Sequence, residues 1–177
     1  MSHKYKTHAG GRYFVTLTVV GWIDLFSRAD YVDVLLDCLA HCIRHKGLRV
    51  YAYVVMSSHV HLLADLVEDE ALLANVLRDL KGYSAKQLHR LVETHPQESR
   101  RDWLLYQFAY FGKPHGQQFK LWQEGSHPID VQDHARAMRC RQYIHENPVV
   151  SRLVTEAQHY PFSSACPDQR LPLAELG

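Results

Sequence analysis

The chain has 177 residues, of which 46% are hydrophobic and 22% are charged, so it can form one globular domain with its own core. Its formal net charge of +1 excludes a strongly polycationic protein, and a nucleic-acid-binding surface would have to concentrate lysine and arginine locally. No segment approaches the roughly 20 consecutive apolar residues of a membrane span, and the basic N-terminus lacks the apolar stretch of a signal peptide. We therefore expect a cytoplasmic protein.

The chain begins with a predicted strand and a predicted helix. Residues 12–20 (RYFVTLTVV) are aromatic and β-branched, which is typical of a buried strand. Apolar residues recur at helical spacing over 30–45, and Gly47 suits the end of that helix. Cys38 and Cys42 lie one turn apart in it, but the two further ligands of a zinc site are missing. We interpret both cysteines as core residues with reduced thiols.

A β-hairpin and a long helix are predicted next. The apolar segments 48–56 and 59–66 are separated only by Ser57 and Ser58, which is typical of two antiparallel strands joined by a short turn. Residues 70–91 then show apolar side chains at helical spacing. These segments contribute the second strand, the third strand and the second helix of the predicted fold.

The remaining elements are two helices, one strand and a tail. Thr94 fits a capping box at the start of an aromatic helix, whose spacing favours packing over base stacking. Residues 119–123 (FKLWQ) predict a fourth strand. Residues 133–146 predict a last helix that Pro148 should stop. Residues 166–177 predict an irregular tail.

The order of these elements predicts the fold class. The predicted order is strand, helix, strand, strand, helix, helix, strand and helix. This order matches an α+β, ferredoxin-like (split βαβ) plan with an antiparallel sheet and helices on one face. The other face of the sheet would then be free to hold a site. We expect a single domain over residues 1–177, with its core at about 12–165.

Two histidines in the third predicted strand are the first candidate site residues. His59 and His61 are two positions apart, so their side chains leave the same face of a strand. Their Cα atoms would lie about 6.8 Å apart, close enough for both rings to bind one ion. A catalytic metal needs further ligands and an open position, and a histidine pair can also be an ordinary hydrogen-bonded pair at the surface.

The last predicted helix carries three more candidates. Tyr143 and Asn147 are four residues apart and therefore share a helix face. The amide oxygen of an asparagine is a suitable ligand for Mg²⁺ or Mn²⁺ beside two imidazoles. Arg136, two turns before Tyr143, could bind a phosphate through both guanidinium branches. The alternative is a tyrosine that packs on the sheet and an asparagine that caps the helix before Pro148.

Several sequence segments resemble one known family. They are similar, in the same order, to the HUH motif (His, bulky hydrophobe, His) and later blocks of the single-tyrosine HUH transposases, in particular the REP-associated tyrosine transposases. The segments are SSHVHLL at 57–63, LWQEG at 121–125, YIHENPV at 143–149 and YPFSSA at 160–165. With the opening strand, the resemblance spans about 12–165.

The resemblance implies roles for four residues. His59 and His61 match the metal ligands of the family, Tyr143 matches its nucleophile, and Asn147 matches its third ligand. It implies a DNA transposase that depends on Mg or Mn and acts as a single-strand endonuclease and strand transferase. Such an enzyme forms a 5′-phosphotyrosine intermediate on single-stranded DNA, next to a hairpin. Because this link preserves the phosphoester, a 3′-hydroxyl can later reverse it without ATP.

The resemblance also points to DNA contacts and to two departures from the family pattern. Lys81 and Lys86 match a helix that contacts DNA in the family, although both could be plain solvated lysines. Trp122 could stack on a base or belong to the core. Residues 57–58 are Ser-Ser where the family more often has Pro-Asn, and residues 151–152 are Ser-Arg where it has Ala-Gly.

Two alternative functions remain open from the sequence. A replication initiator or relaxase also joins an HUH motif to a tyrosine, although the YIHENP context favours a transposase. A non-catalytic, ferredoxin-like nucleic-acid-binding module would bind single strands without a metal and without a covalent adduct. The protein could be a monomer or a homodimer, and in a homodimer Tyr143 could serve the histidines of the partner.

Overall fold

In the computed structural model, which describes residues 7–68 and 72–176, a four-stranded antiparallel sheet forms the centre of the fold. Its strands are β1 (Tyr13–Thr18), β2 (Leu48–Val55), β3 (His59–Leu66) and β4 (Ile129–Asp130). They lie in the order β2–β3–β1–β4, and every neighbouring pair is antiparallel. This is the strand order of a split βαβ unit, so the predicted α+β, ferredoxin-like fold is confirmed.

Four helices accompany the sheet: α1 (Ala29–His45), α2 (Leu73–Thr94), α3 (Arg101–Gly112) and α4 (His134–Val150). Helices α1 and α2 pack against each other and cover one face. Helix α4 packs across β2 and β3 on the opposite face, which differs from the prediction of helices on one face only. The reason is an apolar patch on that face, which Ala137 and Ile144 of α4 bury.

The alternation of side chains along β3 separates the two faces. Val60, Leu62 and Ala64 are fully buried in the core under α1 and α2. His59 and His61 therefore leave the strand on the side of α4, as the sequence predicts for a period of two. We call this side of the sheet the α4 face.

The predicted fourth strand at 119–123 is wrong. Within that segment Trp122 forms only an isolated bridge with Val19, and regular pairing begins at β4 instead. Gly125 and His127 both have positive φ angles, of 72° and 41°, which interrupt an extended backbone between the bridge and the strand. The chain therefore follows the edge of β1 irregularly before it pairs.

Two predicted helix boundaries are also wrong. Thr94 is the last residue of α2, and its hydroxyl donates to the carbonyl of Arg90, so it does not cap α3, which begins at Arg101. Pro148 lies inside α4, which continues to Val150. A proline is most disruptive in the middle of a helix, whereas here it falls in the last turn, where few backbone hydrogen bonds remain to be lost.

The aromatic helix α3 is buried on one side only. Leu104 and Phe108 are fully buried, which confirms the predicted packing role for that side. Trp103, Tyr106 and Tyr110 are exposed on the other side.

The two cysteines of α1, Cys38 and Cys42, are both buried with free thiols, and burial raises the pKa of Cys38 to about 11. The interpretation of these cysteines as core residues is confirmed.

A segment near the C-terminus pairs with the free edge of β2. The N–H of Val55 donates to the carbonyl of Phe162, and the N–H of Ser164 donates to the carbonyl of Tyr53. This segment protects an edge that would otherwise present unpaired backbone groups. The tail that follows is irregular over its described residues 166–176, and the N–H of Ala174 donates to the carbonyl of Val50 of the same strand. Among the described residues, no helix has both the length and the apolar character needed to cross a bilayer.

Candidate active site

His59 and His61 meet on the α4 face of β3. Their ring centroids are 4.8 Å apart, and the two rings contact each other edge to face. His61 is buried, whereas His59 is half-buried. Phe14 of β1 stacks on the ring of His61 with a centroid distance of 5.1 Å and so restricts its orientation.

In each histidine, a hydroxyl group contacts the Nδ1 atom of the ring. Nδ1 of His61 shares a hydrogen bond of 2.9 Å with the hydroxyl of Thr16, which lies opposite His61 in the β1–β3 ladder. Nδ1 of His59 lies 3.3 Å from the hydroxyl of Ser58. Hydrogen bonds of this kind fix the orientation of an imidazole and leave its Nε2 for another ligand. The pair is thus arranged as metal-binding histidines commonly are.

Both histidines are held in the neutral form. Burial lowers the pKa of His59. Burial also lowers the pKa of His61, to about 4, and the neighbouring His59 lowers it further. A neutral imidazole has a free lone pair, which is the form that binds a metal ion.

Helix α4 brings Tyr143 to this pair within the same chain. The ring centroid of Tyr143 lies 5.5 Å from that of His61 and 5.8 Å from that of Phe14. The tyrosine is 54% exposed, so a substrate can reach its hydroxyl. The predicted proximity of the tyrosine to the two histidines is therefore present in a single protomer.

Asn147 and Arg136 flank Tyr143 on the same helix. Asn147 is half-buried, about 6 Å further along α4, and its side chain makes no hydrogen bond to any other described residue. Within residues 7–68 and 72–176, no three His, Cys, Asp or Glu side chains form a group that could hold a metal. Asn147 could supply an amide oxygen as a further ligand beside the two histidines. Arg136 is exposed in the first turn, roughly 10 Å before Tyr143.

A basic groove runs along α2, opposite residues 115–128, and we call it the α2 groove. Three adjoining cavities of about 590, 510 and 490 Å³ form it. Its basic side chains are Arg78, Lys81, Lys86, Arg90 and Lys120. Two acidic residues, Glu93 and Glu124, also line it. Lys86 is exposed and lines two of the three cavities, so it is accessible to a ligand in the groove.

Lys81 has a structural contact that the sequence did not indicate. Its ammonium donates to the carbonyls of Gln123 and Gly125, at 2.6 and 2.7 Å, and thereby attaches the LWQEG segment to α2. Burial, followed by the charge of Lys120, lowers the pKa of Lys81. Two of its three donors are thus engaged, and its predicted contact with DNA stays a prediction.

Of the two tryptophans near the site, one resolves an open alternative and the other was not a candidate from the sequence. Trp122 is buried, and its indole N–H donates to the hydroxyl of Ser84 at 3.0 Å, so it belongs to the core. Trp22 was not a candidate from the sequence, yet its ring lies 5.7 Å from that of His59. The only signal was an aromatic residue after Gly21, directly beyond the first predicted strand.

Comparisons with known proteins bear on the family and the fold of this chain. Residues 24–121, more than half of the chain, match the family described as "Transposase IS200 like". The structure of a REP-associated tyrosine transposase bound to a REP hairpin is similar over 93% of this chain and 82% of that one, with a TM-score of 0.64 and 18% identity. A candidate transposase from Deinococcus radiodurans R1 is 24% identical over 83% of this chain and 94% of its own, with a TM-score of 0.47. No curated protein sequence is significantly similar. The chain belongs to the family of IS200-like transposases.

Proposed function

We propose that this transposase cuts and rejoins single-stranded DNA with Tyr143 as its nucleophile, in a reaction that depends on a divalent metal. The observation that carries the proposal is the contact between Tyr143 and His61, with ring centroids 5.5 Å apart. It brings an accessible phenol next to two neutral imidazoles on a rigid strand. Family membership supports DNA transposition as the overall activity.

His59, His61 and Asn147 would hold the metal, Mg²⁺ or Mn²⁺. The two histidines suit this role because hydroxyl groups engage their Nδ1 atoms and burial keeps both rings neutral. When bound, the ion would polarise a non-bridging oxygen of the scissile phosphate. The amide of Asn147 adds an oxygen ligand from the same side of α4 as the nucleophile.

The chain's own residues carry the covalent step. The hydroxyl oxygen of Tyr143 attacks phosphorus and forms an O–P bond, while the bond from phosphorus to the 3′-oxygen breaks. The phenol proton passes to solvent, and the departing 3′-oxygen takes up a proton from solvent. Phe14 contacts both Tyr143 and His61 and so helps to fix their relative orientation. The product is a 5′-phosphotyrosine, which a 3′-hydroxyl can attack in reverse without ATP.

The DNA would be bound mainly through its phosphates. Lys86 and Arg90 are exposed along the α2 groove, and Arg136 is exposed at the start of α4. Such cations give affinity by displacing counterions, without reading sequence. The similar structure of a transposase bound to a REP hairpin supports a single strand that carries a hairpin as the substrate. Tyr143 would serve the histidines of its own chain, whether the protein is a monomer or a homodimer.

The test is the covalent adduct itself. The protein would be mixed with Mn²⁺ and labelled hairpin oligonucleotides made from the sequences that flank its gene, and then run on a denaturing gel. We expect a slowly migrating protein–DNA adduct in the wild type and none in Tyr143→Phe. Tyr106→Phe, which changes another exposed tyrosine on α3, is the matched control and should form the adduct normally.

Three outcomes would contradict the proposal. An adduct that persists in Tyr143→Phe would show that another residue is the nucleophile. Tight binding of several hairpins without any adduct would instead support the non-catalytic nucleic-acid-binding module. EDTA added before the DNA should prevent the adduct, and an adduct formed at the same rate in EDTA would rule out the metal.

A further inference from the structure

Trp22 is a large aromatic residue in an exposed and strained position. Its side chain is 62% exposed, although most tryptophans are largely buried. Its φ angle of 55° lies in the left-handed region, which a bulky side chain rarely adopts because the backbone crowds Cβ. Such outliers cost free energy and concentrate at functional sites, where the surrounding structure enforces them.

The residues around Trp22 do enforce this conformation. Gly21, which precedes it, also has a positive φ, and a Cβ there would meet the ring of Phe111 at 2.9 Å. The N–H of Trp22 donates to the carbonyl of Val19, and the N–H of Val20 donates to the carbonyl of Leu121. The turn is thus fixed on both sides, so the exposure of the indole is a property of the folded chain.

The indole lies at one end of the histidine pair, and the nucleophile lies at the other. Trp22 contacts His59 at a centroid distance of 5.7 Å. Tyr143 contacts both His61 and Phe14. Phe14 pairs with Leu63 in the β1–β3 ladder, two residues beyond His61 and away from His59. Along β3 the order is therefore indole, two imidazoles and phenol.

This order has a stereochemical meaning, which rests on the proposed function. In a displacement at phosphorus the attacking and leaving oxygens lie roughly in line, on opposite sides of the phosphorus atom. If the scissile phosphate lies at the histidine pair and Tyr143 attacks from its end, the leaving nucleotide lies at the other end. We propose that Trp22 stacks on the base of that nucleotide, the one that departs with the free 3′-hydroxyl.

Stacking on an indole suits a positioning contact more than a sequence-reading contact. Every base has a π face, so an aromatic ring accepts all four bases with modest preferences. The indole would hold the leaving strand near its 3′-oxygen, which also keeps that oxygen ready to attack the phosphotyrosine in the reverse step. We therefore expect cleavage to depend strongly on the presence of this base and weakly on its identity.

The first experiment measures single-turnover adduct formation on oligonucleotides with one missing base. In the wild type, removal of the base on the leaving nucleotide should slow adduct formation by about 5- to 150-fold. Trp22→Ala should slow cleavage of the intact strand by a similar factor, and the missing base should then have little further effect. Trp22→Phe should be intermediate. If the missing base slowed Trp22→Ala by the same factor as the wild type, the proposal would be overturned.

Two controls make the effect specific. A missing base on the first nucleotide of the strand that becomes attached to Tyr143 should affect the wild type and Trp22→Ala alike. Trp103→Ala removes another exposed tryptophan, on α3, and should leave the rates unchanged. If Trp22→Ala forms the adduct at the wild-type rate, this inference is refuted and the proposed function remains intact.

A second readout does not need turnover. In a protein carrying Tyr143→Phe and Trp103→Phe, the remaining tryptophans are Trp22 and the buried Trp122. Binding of the uncut oligonucleotide should quench the exposed indole, and the strand that lacks the leaving base should quench it less. Equal quenching by both strands would overturn the proposal, whereas quenching without adduct in the wild type would refute only the catalytic function.

Discussion

On β3, the side chains that face α1 and α2 are apolar, whereas those that face α4 include two histidines beside the apolar Leu63. Val60, Leu62 and Ala64 are apolar and fully inaccessible to solvent. His59 and His61 alternate with them, are polar, and make defined contacts to hydroxyl groups and aromatic rings. One strand therefore contributes to the core on one face and to the candidate site on the other.

The difference teaches how the site obtains its rigidity. The imidazoles belong to a backbone whose other face is fixed by close packing, so their positions are as well defined as those of core residues. Stability and chemistry should consequently separate when residues of the two faces are changed one at a time. The following predictions test that separation, beginning with the largest expected effect.

Replacement of both histidines should remove the chemistry and spare the fold. We expect the double variant His59→Ala with His61→Ala to form no detectable adduct, because the proposed metal would lose two ligands. Its affinity for the hairpin oligonucleotide should stay within about threefold of wild type, since phosphates elsewhere supply most of the binding. Gel-shift titration and the adduct assay measure the two quantities. Undiminished cleavage would rule out the role of the histidines.

Leu62→Ala is the matched change on the core face, next to His61 and three residues from His59. It should lower the free energy of unfolding by about 3 kcal/mol, because it removes a fully buried side chain and leaves a cavity. Urea denaturation measures this loss. At a temperature where the variant remains folded, its rate of adduct formation should equal that of wild type. A parallel loss of activity would mean that the two faces are not separable.

A buried carboxylate on the α1 side gives a pH-dependent prediction. Burial raises the pKa of Glu98, but hydrogen bonds from the N–H of Arg100 and the hydroxyl of Tyr31, with the charges of Arg100 and Arg28, lower it below its ordinary 4.5. Glu98→Gln should therefore lower the free energy of unfolding by about 2 kcal/mol at pH 7. Because the pKa is depressed on folding, this difference should be complete above about pH 5 and shrink as the pH falls.

Denaturation at several pH values would measure the contribution of Glu98. A difference between wild type and Glu98→Gln that grows on acidification would contradict the direction of the pKa shift. Adduct formation at neutral pH should be unchanged in the variant, because Glu98 contacts residues of the α1 side and none of the residues proposed for the chemistry.

The smallest effect is expected at the end of α4. Arg152 has a φ of 58°, and backbone bonds from Arg152 to Val149 and from Leu153 to Pro148 form a left-handed cap of the Schellman type. Arg152→Gly should raise the free energy of unfolding by about 0.5–1 kcal/mol. Arg141→Gly, the same change inside α4, is the control and should lower it by a similar amount. Equal signs for the two variants would refute the explanation.

The parts of the site that depend on local spacing could be predicted from the sequence. A period of two fixed the common face of His59 and His61, and the four-residue spacing fixed the common side of Tyr143 and Asn147. That the helix meets the strand at this point followed only from the family resemblance, because nothing in either segment encodes which face α4 covers.

Other features depend on contacts between distant segments, which spacing does not reveal. Lys81 bonds to carbonyls more than 40 residues away, so its burial was not visible in the sequence. The exposure of Trp22 depends on the ring of Phe111 against Gly21. Strand β4 has only two residues, too short for any periodicity, and its start depends on the backbone angles of the residues before it.

The attachment of α4 to the segment on the β2 edge makes the position of this helix depend on residues near the C-terminus. Nε2 of His145 lies 2.9 Å from the hydroxyl of Ser164, 19 residues later, and that hydroxyl also bonds to the backbone of Tyr53. The helix that carries the phenol is thus tied to a part of the chain synthesised after it. A nascent chain that ends before Ser164 contains both histidines and Tyr143 but cannot make this contact. Under the proposed function, incomplete chains would therefore lack one contact that positions the nucleophile.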